Sequence, residues 1–341
     1  MPPPSTHPTS SHLTYVTDDE PGIRRHGHAR FRFVREATGR EVRTARDLER
    51  IRGLAVPPAW TDVWICADPN GHLQATGRDA RGRKQYRYHP AFRSRRERRK
   101  FDQLPAFGAT LGKLRSQIDA DLRSPQLGRE RLLAAVVSLL DLTYVRIGNA
   151  EYARDNRSFG LTTLRCSHLD LEGNRMRMRF PGKGGRRFDV SCCDPRLARV
   201  VRRCQELPGQ NLFQYLDDDD VATPISSTDV NDYLRDGTGL DVTAKTFRTW
   251  GASLLAAEVL SPLDPPRSTR AASSAINDSL RSVADRLGNT VTVCRNSYVH
   301  PVVLADFEAG TLGERWDEGP KRAAGGLRAE ERKLLAILPD H

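Results

Sequence analysis

The spacing of apolar residues changes along the chain and predicts two kinds of structure. In the first part, apolar residues form short runs, such as those at 31–34 and 63–66, with turn residues between them. Runs of this kind are typical of β-strands. One short helix is predicted among them, at 45–52. We therefore predict a small β-rich N-terminal domain at residues 13–97.

Farther along the chain, apolar residues recur at the spacing of α-helices. Leu111, Leu114, Ile118 and Leu122 share one helix face, and a longer apolar helix is predicted to begin after Gly128. Helices are predicted at 132–145, 196–206, 228–235, 243–260, 269–287 and 327–338.

One segment inside this helical region has the period of a β-strand. Residues 175–180 alternate between arginine and an apolar residue, and the turn PGKGG follows. This pattern predicts a hairpin with Lys183 at its tip. The fold class is therefore α+β, with a larger, mainly helical domain at residues 98–341 that contains a small β-sheet.

Two polar segments are predicted to lie outside the folded cores. Residues 1–12 are rich in Pro, Ser, Thr and His, so a flexible tail is expected there. Residues 93–100 read RSRRERRK, which suits an exposed connection between domains or the solvated face of a helix. The pattern does not decide between these two interpretations.

The overall charge narrows the choice of partner. Lys and Arg number 54 against 43 Asp and Glu, for a net charge of +11, which favours nucleic acid over a small neutral ligand. The six cysteines lack CxxC spacing, so reduced thiols and a cytoplasmic location are expected. No run of about 18 apolar residues occurs, so no membrane span is expected.

Four segments supply the groups that chemistry at a phosphodiester requires: a nucleophile, donors for the non-bridging oxygens and an acid for the leaving oxygen. They carry Arg146 in TYVRIGN, Lys183 in FPGKGG, Lys245 and Arg248 in AKTFRTW, and Tyr298 in LGNTVTVCRNSYVHP. Arg146 is expected at the C-terminal end of an apolar helix, and Lys245 and Arg248 on one helix face.

Each signal also has an ordinary structural interpretation. An arginine at a helix C-terminus complements the helix dipole, and a lysine in a turn is usually only exposed. A basic helix face usually lies on the protein surface, and a tyrosine beside apolar residues usually lies in the core. A phenol with a pKa of about 10 is also a poor nucleophile unless cations stabilise its anion.

The order of these four motifs closely resembles that of the type IB DNA topoisomerases, in their compact bacterial and poxvirus form. The segment KQYRYHP at 84–90 also resembles the DNA-contacting N-terminal segment of that family. The resemblance implies the catalytic fold shared with tyrosine recombinases. It further implies that Tyr298 attacks the phosphorus, forms a 3′-phosphotyrosyl link and releases a 5′-hydroxyl strand.

The same resemblance assigns the other catalytic roles. Arg146 and Arg248 would bind the non-bridging oxygens, Lys183 would protonate the 5′ oxygen, and Lys245 would support the phosphate or the proton transfer. The commoner family pattern has His after the Leu-Gly pair, whereas this chain has Asn289. Asn289 is expected to donate a neutral hydrogen bond in the transition state. The alternative role for Asn289 is that of a helix cap.

Residues near the end of the N-terminal domain are candidates for DNA binding. Tyr86 and Tyr88 are predicted to share one strand face and, by the resemblance, to meet the major groove together with Gln85. An ordinary aromatic pair in a sheet is the alternative. The expected phosphate contacts are Arg78, Arg81, Arg83 and Lys84, and such contacts make binding weaken steeply with salt.

The function implied is that of an isomerase: a topoisomerase that relaxes positive and negative supercoils without ATP, metal or cofactor. It would act as a monomeric clamp on duplex DNA of the bacterial nucleoid. A tyrosine recombinase is one alternative, although such an enzyme typically has His where this chain has Lys245. A non-catalytic basic architectural protein is another, because the net charge alone would suffice for DNA binding.

Overall fold

The computed structural model describes residues 12–28, 30–217 and 219–339. Spatial contacts divide the chain into two compact units between Arg99 and Lys100. The division falls two residues after the predicted boundary and lies within a helix. The tail predicted at residues 1–12 lies outside the described residues except for His12.

The first unit is built on one antiparallel sheet of five strands. Its elements are β1 (Ile23–His26), β2 (Arg32–Arg35), α1 (Ala45–Gly53), β3 (Thr61–Ile65), β4 (Leu73–Arg78) and β5 (Lys84–Tyr88). The strand order is β2-β1-β3-β4-β5, so β5 is an edge strand. The predicted strands and the predicted helix are confirmed, with bounds shifted by one or two residues.

Apolar side chains cover both faces of this sheet. Ile23, Ile65 and Ala75 form one cluster with Ile51 of α1, while Trp64 and its neighbours form a second cluster. Along β3 the residues alternate between the two faces, so Ile65 joins the first cluster and Trp64 the second.

The basic segment 93–100 is helical. The helix α2 (Pro90–Asp102) includes it entirely, and Phe101 is its one buried residue. The side chains of the segment are exposed or partly exposed, and the division between the two units falls within it, so the two interpretations of this segment do not exclude each other. Proline at the first helical position suits the start of α2, because the missing amide hydrogen has no partner there in any helix.

The second unit is mainly helical. Its helices are α3 (Leu104–Leu122), α4 (Arg129–Thr143), α5 (Ala150–Asn156), α6 (Pro195–Glu206), α7 (Ser227–Thr238), α8 (Ala244–Leu260), α9 (Thr269–Leu287), α10 (Val291–Ser297), α11 (Pro301–Ala309), α12 (Leu312–Glu318) and α13 (Ala329–Ile337). Its strands are β6 (Leu169–Glu172), β7 (Arg175–Pro181), β8 (Arg187–Cys193), β9 (Gln214–Leu216) and β10 (Ala222–Pro224). The α+β fold class is confirmed.

Two helices, α4 and α8, form the centre of this unit. Nine of the fifteen residues of α4 are buried, and α8 buries Phe247, Trp250 and Leu254 among others. A helix that is apolar on nearly every side has to be surrounded by other elements. Most other helices of the unit pack against one of these two.

The position expected for Arg146 is wrong in one respect. The helix α4 ends at Thr143, and Tyr144 takes the left-handed conformation with φ of 55°. Arg146 therefore lies in the loop between α4 and α5 rather than on a helix. Its side chain donates to Gly288 and Asn289 rather than to the carbonyl groups at the end of α4.

The hairpin predicted around Lys183 is confirmed. Strands β7 and β8 pair in antiparallel register from Arg175 with Cys193 to Pro181 with Arg187. Lys183 lies in the single 3₁₀ turn, Lys183–Gly185, that joins them. The arginines of β7 are exposed and its apolar residues are buried.

The C-terminal helix α13 is held to the core by a buried ion-pair network. The Glu331 carboxylate is fully buried and accepts from Arg115 of α3 at 2.8 Å and from Arg328 at 3.1 Å. Arg115 also donates to Asp141 of α4, at 2.8 Å. Burial raises the pKa of Glu331, but hydrogen bonds from Arg115 and Arg328 outweigh it and lower that pKa to about 2.

Replacing this carboxylate should destabilise the protein strongly. We expect Glu331→Gln to lower the free energy of unfolding by about 3 kcal/mol at pH 7, because it removes one of the two carboxylates that pair with Arg115 and the carboxylate that pairs with Arg328. The control is Glu330→Gln, an exposed neighbour on the same helix, which should change stability by less than about 0.5 kcal/mol.

The effect should also depend on pH, with a defined sign. The carboxylate stabilises the fold above its unfolded pKa of about 4.3, and this stability is lost as the pH falls toward the folded value of about 2. Urea unfolding should therefore show a difference between the wild type and Glu331→Gln that narrows below about pH 5. A constant difference would contradict the ionic origin of the effect.

Candidate active site

Arg248 is the buried centre of the candidate site. It lies in the first turns of α8 and is only 2% exposed. Its two terminal nitrogens donate to the carbonyl of Tyr144 and to that of Leu287, at 2.8 Å. These carbonyls belong to the C-terminal ends of α4 and α9, where carbonyl groups lack partners within the helix and carry partial negative charge. The helix ends therefore hold the guanidinium in place.

Arg146 reaches the same region from the loop after α4. Its Nη2 donates to the Gly288 carbonyl at 3.1 Å and to the side-chain oxygen of Asn289. Gly288 ends α9 in the left-handed conformation, with φ of 62°. The loop after α4 and the turn between α9 and α10 are thus joined through one arginine.

Tyr298 follows directly after α10 and is 8% exposed. The centroid of its ring is 5.2 Å from the Arg248 guanidinium carbon and 5.7 Å from the Lys245 ammonium nitrogen. The Ser253 hydroxyl accepts from the His300 amide at 2.9 Å and donates to the Tyr298 carbonyl at 3.4 Å. The backbone on both sides of the phenol is therefore tied to α8.

Three buried donors of this group have no acceptor among the described residues. They are Nη1 of Arg146, Nε of Arg248 and Nδ2 of Asn289. A buried donor without an acceptor costs free energy, so a set of three at one place indicates a site for a ligand with several acceptor oxygens. Because two of the three belong to cations, an anion is favoured.

The charges around Tyr298 change its acidity. Burial raises the pKa of the phenol, but Arg248, Lys245 and Arg146 outweigh that effect, and the pKa lies below its ordinary value. Burial lowers the pKa of Arg146 to about 10, and the neighbouring Arg248 contributes to this shift. Arg146 is still protonated at neutral pH. The site is therefore cationic, and it favours the phenolate that nucleophilic attack requires.

The hairpin that carries Lys183 contacts the same turn. Arg186 donates to the backbone carbonyl of Asn289, and the ring of Phe188 packs against Gly288. A Cβ atom at Gly288 would lie 2.2 Å from that ring. The Lys183 side chain itself is exposed at the hairpin tip, and the contacts of the described residues include none between it and Tyr298.

Asn289 does not cap a helix. The α10 N-cap is Thr290, whose hydroxyl accepts from the Val293 amide at 3.3 Å. The side-chain oxygen of Asn289 accepts from Arg146. The NH₂ group of Asn289 therefore points away from Arg146, and it has no acceptor among the described residues. The alternative interpretation of Asn289 as a cap is therefore wrong.

Comparison with known proteins gives the family. Residues 89–311 match the family model described as the catalytic core of eukaryotic DNA topoisomerase I, and residues 30–79 match that of the N-terminal domain of bacterial DNA topoisomerase IB. DNA topoisomerase 1B of Acanthamoeba polyphaga mimivirus is 32% identical over 272 residues, which are 78% of this chain and 81% of the viral protein. The chain belongs to the type IB DNA topoisomerases.

Two more distant relatives agree with this assignment. DNA topoisomerase I, mitochondrial, of Rattus norvegicus is 28% identical over 173 residues, which are 47% of this chain and 27% of the rat protein. DNA topoisomerase 1 of Mycosarcoma maydis is 24% identical over 182 residues, which are 48% of this chain and 18% of the fungal protein. Membership of the topoisomerase family favours a topoisomerase over both a recombinase and a non-catalytic architectural protein.

The residues expected to read DNA bases lie on the edge strand β5 of the first unit. Tyr86 and Tyr88 stack, with ring centroids 6.0 Å apart and an interplanar angle of 8°, and Tyr86 is 47% exposed. Because strand residues alternate, Gln85 lies on the opposite face. Its amide donates to Asp79 at 3.1 Å. The three residues therefore do not share one face.

Most of the predicted phosphate contacts already have acidic partners. Arg83 pairs with Asp79 at 2.6 Å, Lys84 with Asp18 at 2.6 Å, and Arg78 lies 3.8 Å from Asp62. The backbone amide of Arg81 also donates to Asp79, at 2.9 Å. A phosphate at these cations would have to share or replace a carboxylate.

The structure adds three residues that sequence reasoning missed. Arg186 contacts the Asn289 backbone, Tyr144 accepts from Arg248, and Ser253 fixes the backbone beside Tyr298. In the sequence, Arg186 stands out only as one of two arginines after the hairpin glycines, and nothing distinguishes it from its neighbour Arg187. Tyr144 and Ser253 resemble ordinary core residues.

The described part of the chain holds no group of three or more His, Cys, Asp or Glu side chains arranged to bind a metal ion. Between residues 12 and 339, with 29 and 218 left out, no helix combines the length and the apolar character needed to cross a bilayer.

The acidity of Tyr298 can be measured directly. We expect the phenol to titrate below the usual tyrosine pKa, and Arg248→Met to raise that pKa, because burial then acts without the nearest cation. NMR titration of ¹³C-labelled tyrosine rings, assigned with Tyr298→Phe, tests this. Arg187→Met, a change in an exposed arginine, should leave the titration unchanged, and an unshifted pKa in Arg248→Met would contradict the assignment.

Proposed function

We propose that this chain relaxes supercoiled DNA through a covalent bond between Tyr298 and a backbone phosphate. The phenolate oxygen attacks the phosphorus, the bond from phosphorus to the 5′ oxygen breaks, and that oxygen leaves as a hydroxyl after taking a proton. The 3′ end then stays attached to Tyr298. Religation reverses each step, so bonds and protons balance over the cycle.

The observation that carries the proposal is the set of unpaired buried donors beside Tyr298. Nη1 of Arg146, Nε of Arg248 and Nδ2 of Asn289 all lack an acceptor, and the phenol lies next to Arg248. The non-bridging oxygens of a phosphodiester would supply the missing acceptors. Donors that are fixed before the reaction cost no reorganisation when charge develops in the transition state.

The two lysines are assigned to proton transfer and charge. Lys183 would deliver the proton to the 5′ oxygen, since its hairpin contacts the turn at Asn289 through Arg186. The loop glycines Gly184 and Gly185 have φ of 76°, and their backbone can change conformation more readily than that of other residues because glycine lacks a Cβ atom. Such a change would bring the Lys183 ammonium inward on DNA binding. Lys245, which lies 5.7 Å from the Tyr298 ring, would stabilise the phenolate and the phosphate.

The overall reaction would need neither ATP nor a metal ion. Arginine and lysine side chains supply the positive charge, and the phosphotyrosyl ester keeps the energy of the broken bond. While the ester persists, the free 5′ end rotates about the intact strand. The rotation releases torsion of either sign, so positive and negative supercoils would both relax. We propose that the chain does this as a monomeric clamp on duplex DNA of the nucleoid.

The covalent intermediate tests this proposal most directly. With labelled duplex in the presence of a chelator, denaturation should trap an adduct that maps to Tyr298 and disappears in Tyr298→Phe. That variant should still bind duplex, with an affinity that falls steeply as salt rises. Tyr215→Phe is the control and should form the adduct normally. A folded wild-type protein without an adduct, or an adduct on another tyrosine, would overturn the assignment.

Asn289 is tested by two replacements. Asn289→Ala should slow single-turnover cleavage by about a hundredfold, the usual cost of one transition-state donor. Asn289→His should retain activity and gain a pH dependence near the imidazole pKa of about 6.5, which the wild type lacks because an amide does not titrate. If Asn289→Ala cleaves at the wild-type rate, Asn289 has no catalytic role.

A further inference from the structure

The C-terminal segment, from α12 onward, lies outside the part of the chain that matches the catalytic core, because that match ends at residue 311. It is nevertheless closely packed. Its residue Glu331 is fully buried. The backbone at Gly325 and Gly326 lies so close to Gly112 that a Cβ atom on Gly112 would be 1.8 Å from the Gly325 carbonyl. The segment is part of the second unit's core.

Arg328 connects this segment to the candidate site. Its guanidinium donates to Glu331 at 3.1 Å, and its backbone amide donates to the same carboxylate at 2.9 Å. The guanidinium also lies beside the phenol of Tyr144, where its charge opposes the rise that burial causes in the pKa of that phenol. Arg328 is thus fixed by Glu331 on one side and faces the Tyr144 phenol on the other.

Tyr144 in turn contacts Arg248 through its backbone. Its carbonyl accepts from a terminal nitrogen of Arg248. Its ring packs on Gly251, where a Cβ atom would lie 2.3 Å from the ring. Tyr144 has φ of 55°, a conformation that is unfavourable for residues other than glycine. Other contacts must offset the cost of this conformation, and the packing of the ring on Gly251 is one of them.

We propose that Tyr144 and Arg328 are positioning residues for cleavage, through which the C-terminal segment sets the orientation of Arg248. This inference rests on the proposed role of Arg248 at the phosphate. The sequence of contacts runs from Glu331 to Arg328, to the Tyr144 phenol, and through the Tyr144 carbonyl to Arg248. Neither positioning residue touches the DNA phosphate in this scheme.

The expected signature is a loss of cleavage rate without a loss of DNA binding. Tyr144→Phe keeps the ring on Gly251 and removes only the hydroxyl that faces Arg328. We expect it to slow single-turnover cleavage at saturating duplex by about tenfold, as small displacements of a catalytic group do. Affinity for duplex and the melting temperature should stay close to those of the wild type.

Arg328→Met should give the same loss of rate, and Arg328→Lys should recover part of it, because lysine can still donate to both partners. The matched control is Arg332→Met on the same helix, whose guanidinium donates to the Arg322 carbonyl at 2.8 Å. It should cleave at the wild-type rate. If the rates of all these variants simply follow their melting temperatures, the segment is only structural and the proposal is wrong.

A double-mutant cycle separates this inference from the proposed function. Arg248→Lys alone should slow cleavage strongly, and adding Tyr144→Phe should then cause much less than a further tenfold loss, because both changes act on the same group. If Arg248→Lys cleaves normally, the proposed role of Arg248 fails. If Arg248→Lys is slow but Tyr144→Phe multiplies its loss in full, that role stands and the positioning role is overturned.

Discussion

The burial of unbalanced positive charge beside a tyrosine is the constraint on which the second unit depends. A guanidinium that is 2% exposed needs compensation for lost hydration, and a nearby carboxylate would give it at the expense of phosphate binding. The compensation comes instead from main-chain carbonyls at the ends of α4 and α9. Neutral carbonyl groups hold the two arginines without cancelling their charge, and other donors of the same arginines stay available.

This solution explains why the core of the second unit is arranged as it is. Carbonyls can hold Arg248 only if α4 and α9 end at the same place, so α4, α8 and α9 must pack in one fixed arrangement. The left-handed residues Tyr144 and Gly288 end these two helices and turn the chain toward Arg146 and Asn289. The buried residues of α4 and α8 therefore serve the site as well as the stability of the fold.

The first unit handles its positive charge differently. Arg83 and Lys84 lie near the surface with Asp79 and Asp18 as partners, so their charges are balanced before DNA is present. Surface ion pairs of this kind contribute little stability, which makes the exchange of a carboxylate for a phosphate inexpensive. In the function proposed above, the two units would combine exchangeable surface pairs for binding with a buried, unpaired set of donors for chemistry.

The sequence by itself determined the elements and the residues with candidate chemistry. Apolar periodicity located α9 and the β7–β8 hairpin, since these depend on local spacing, and the motif order singled out Tyr298, Arg146 and Arg248. Only the tertiary structure decided which groups meet. The contacts of Arg186 with Asn289 and of Tyr144 with Arg248 join residues about 100 positions apart, and no local pattern records such contacts, because they arise from the packing of whole helices.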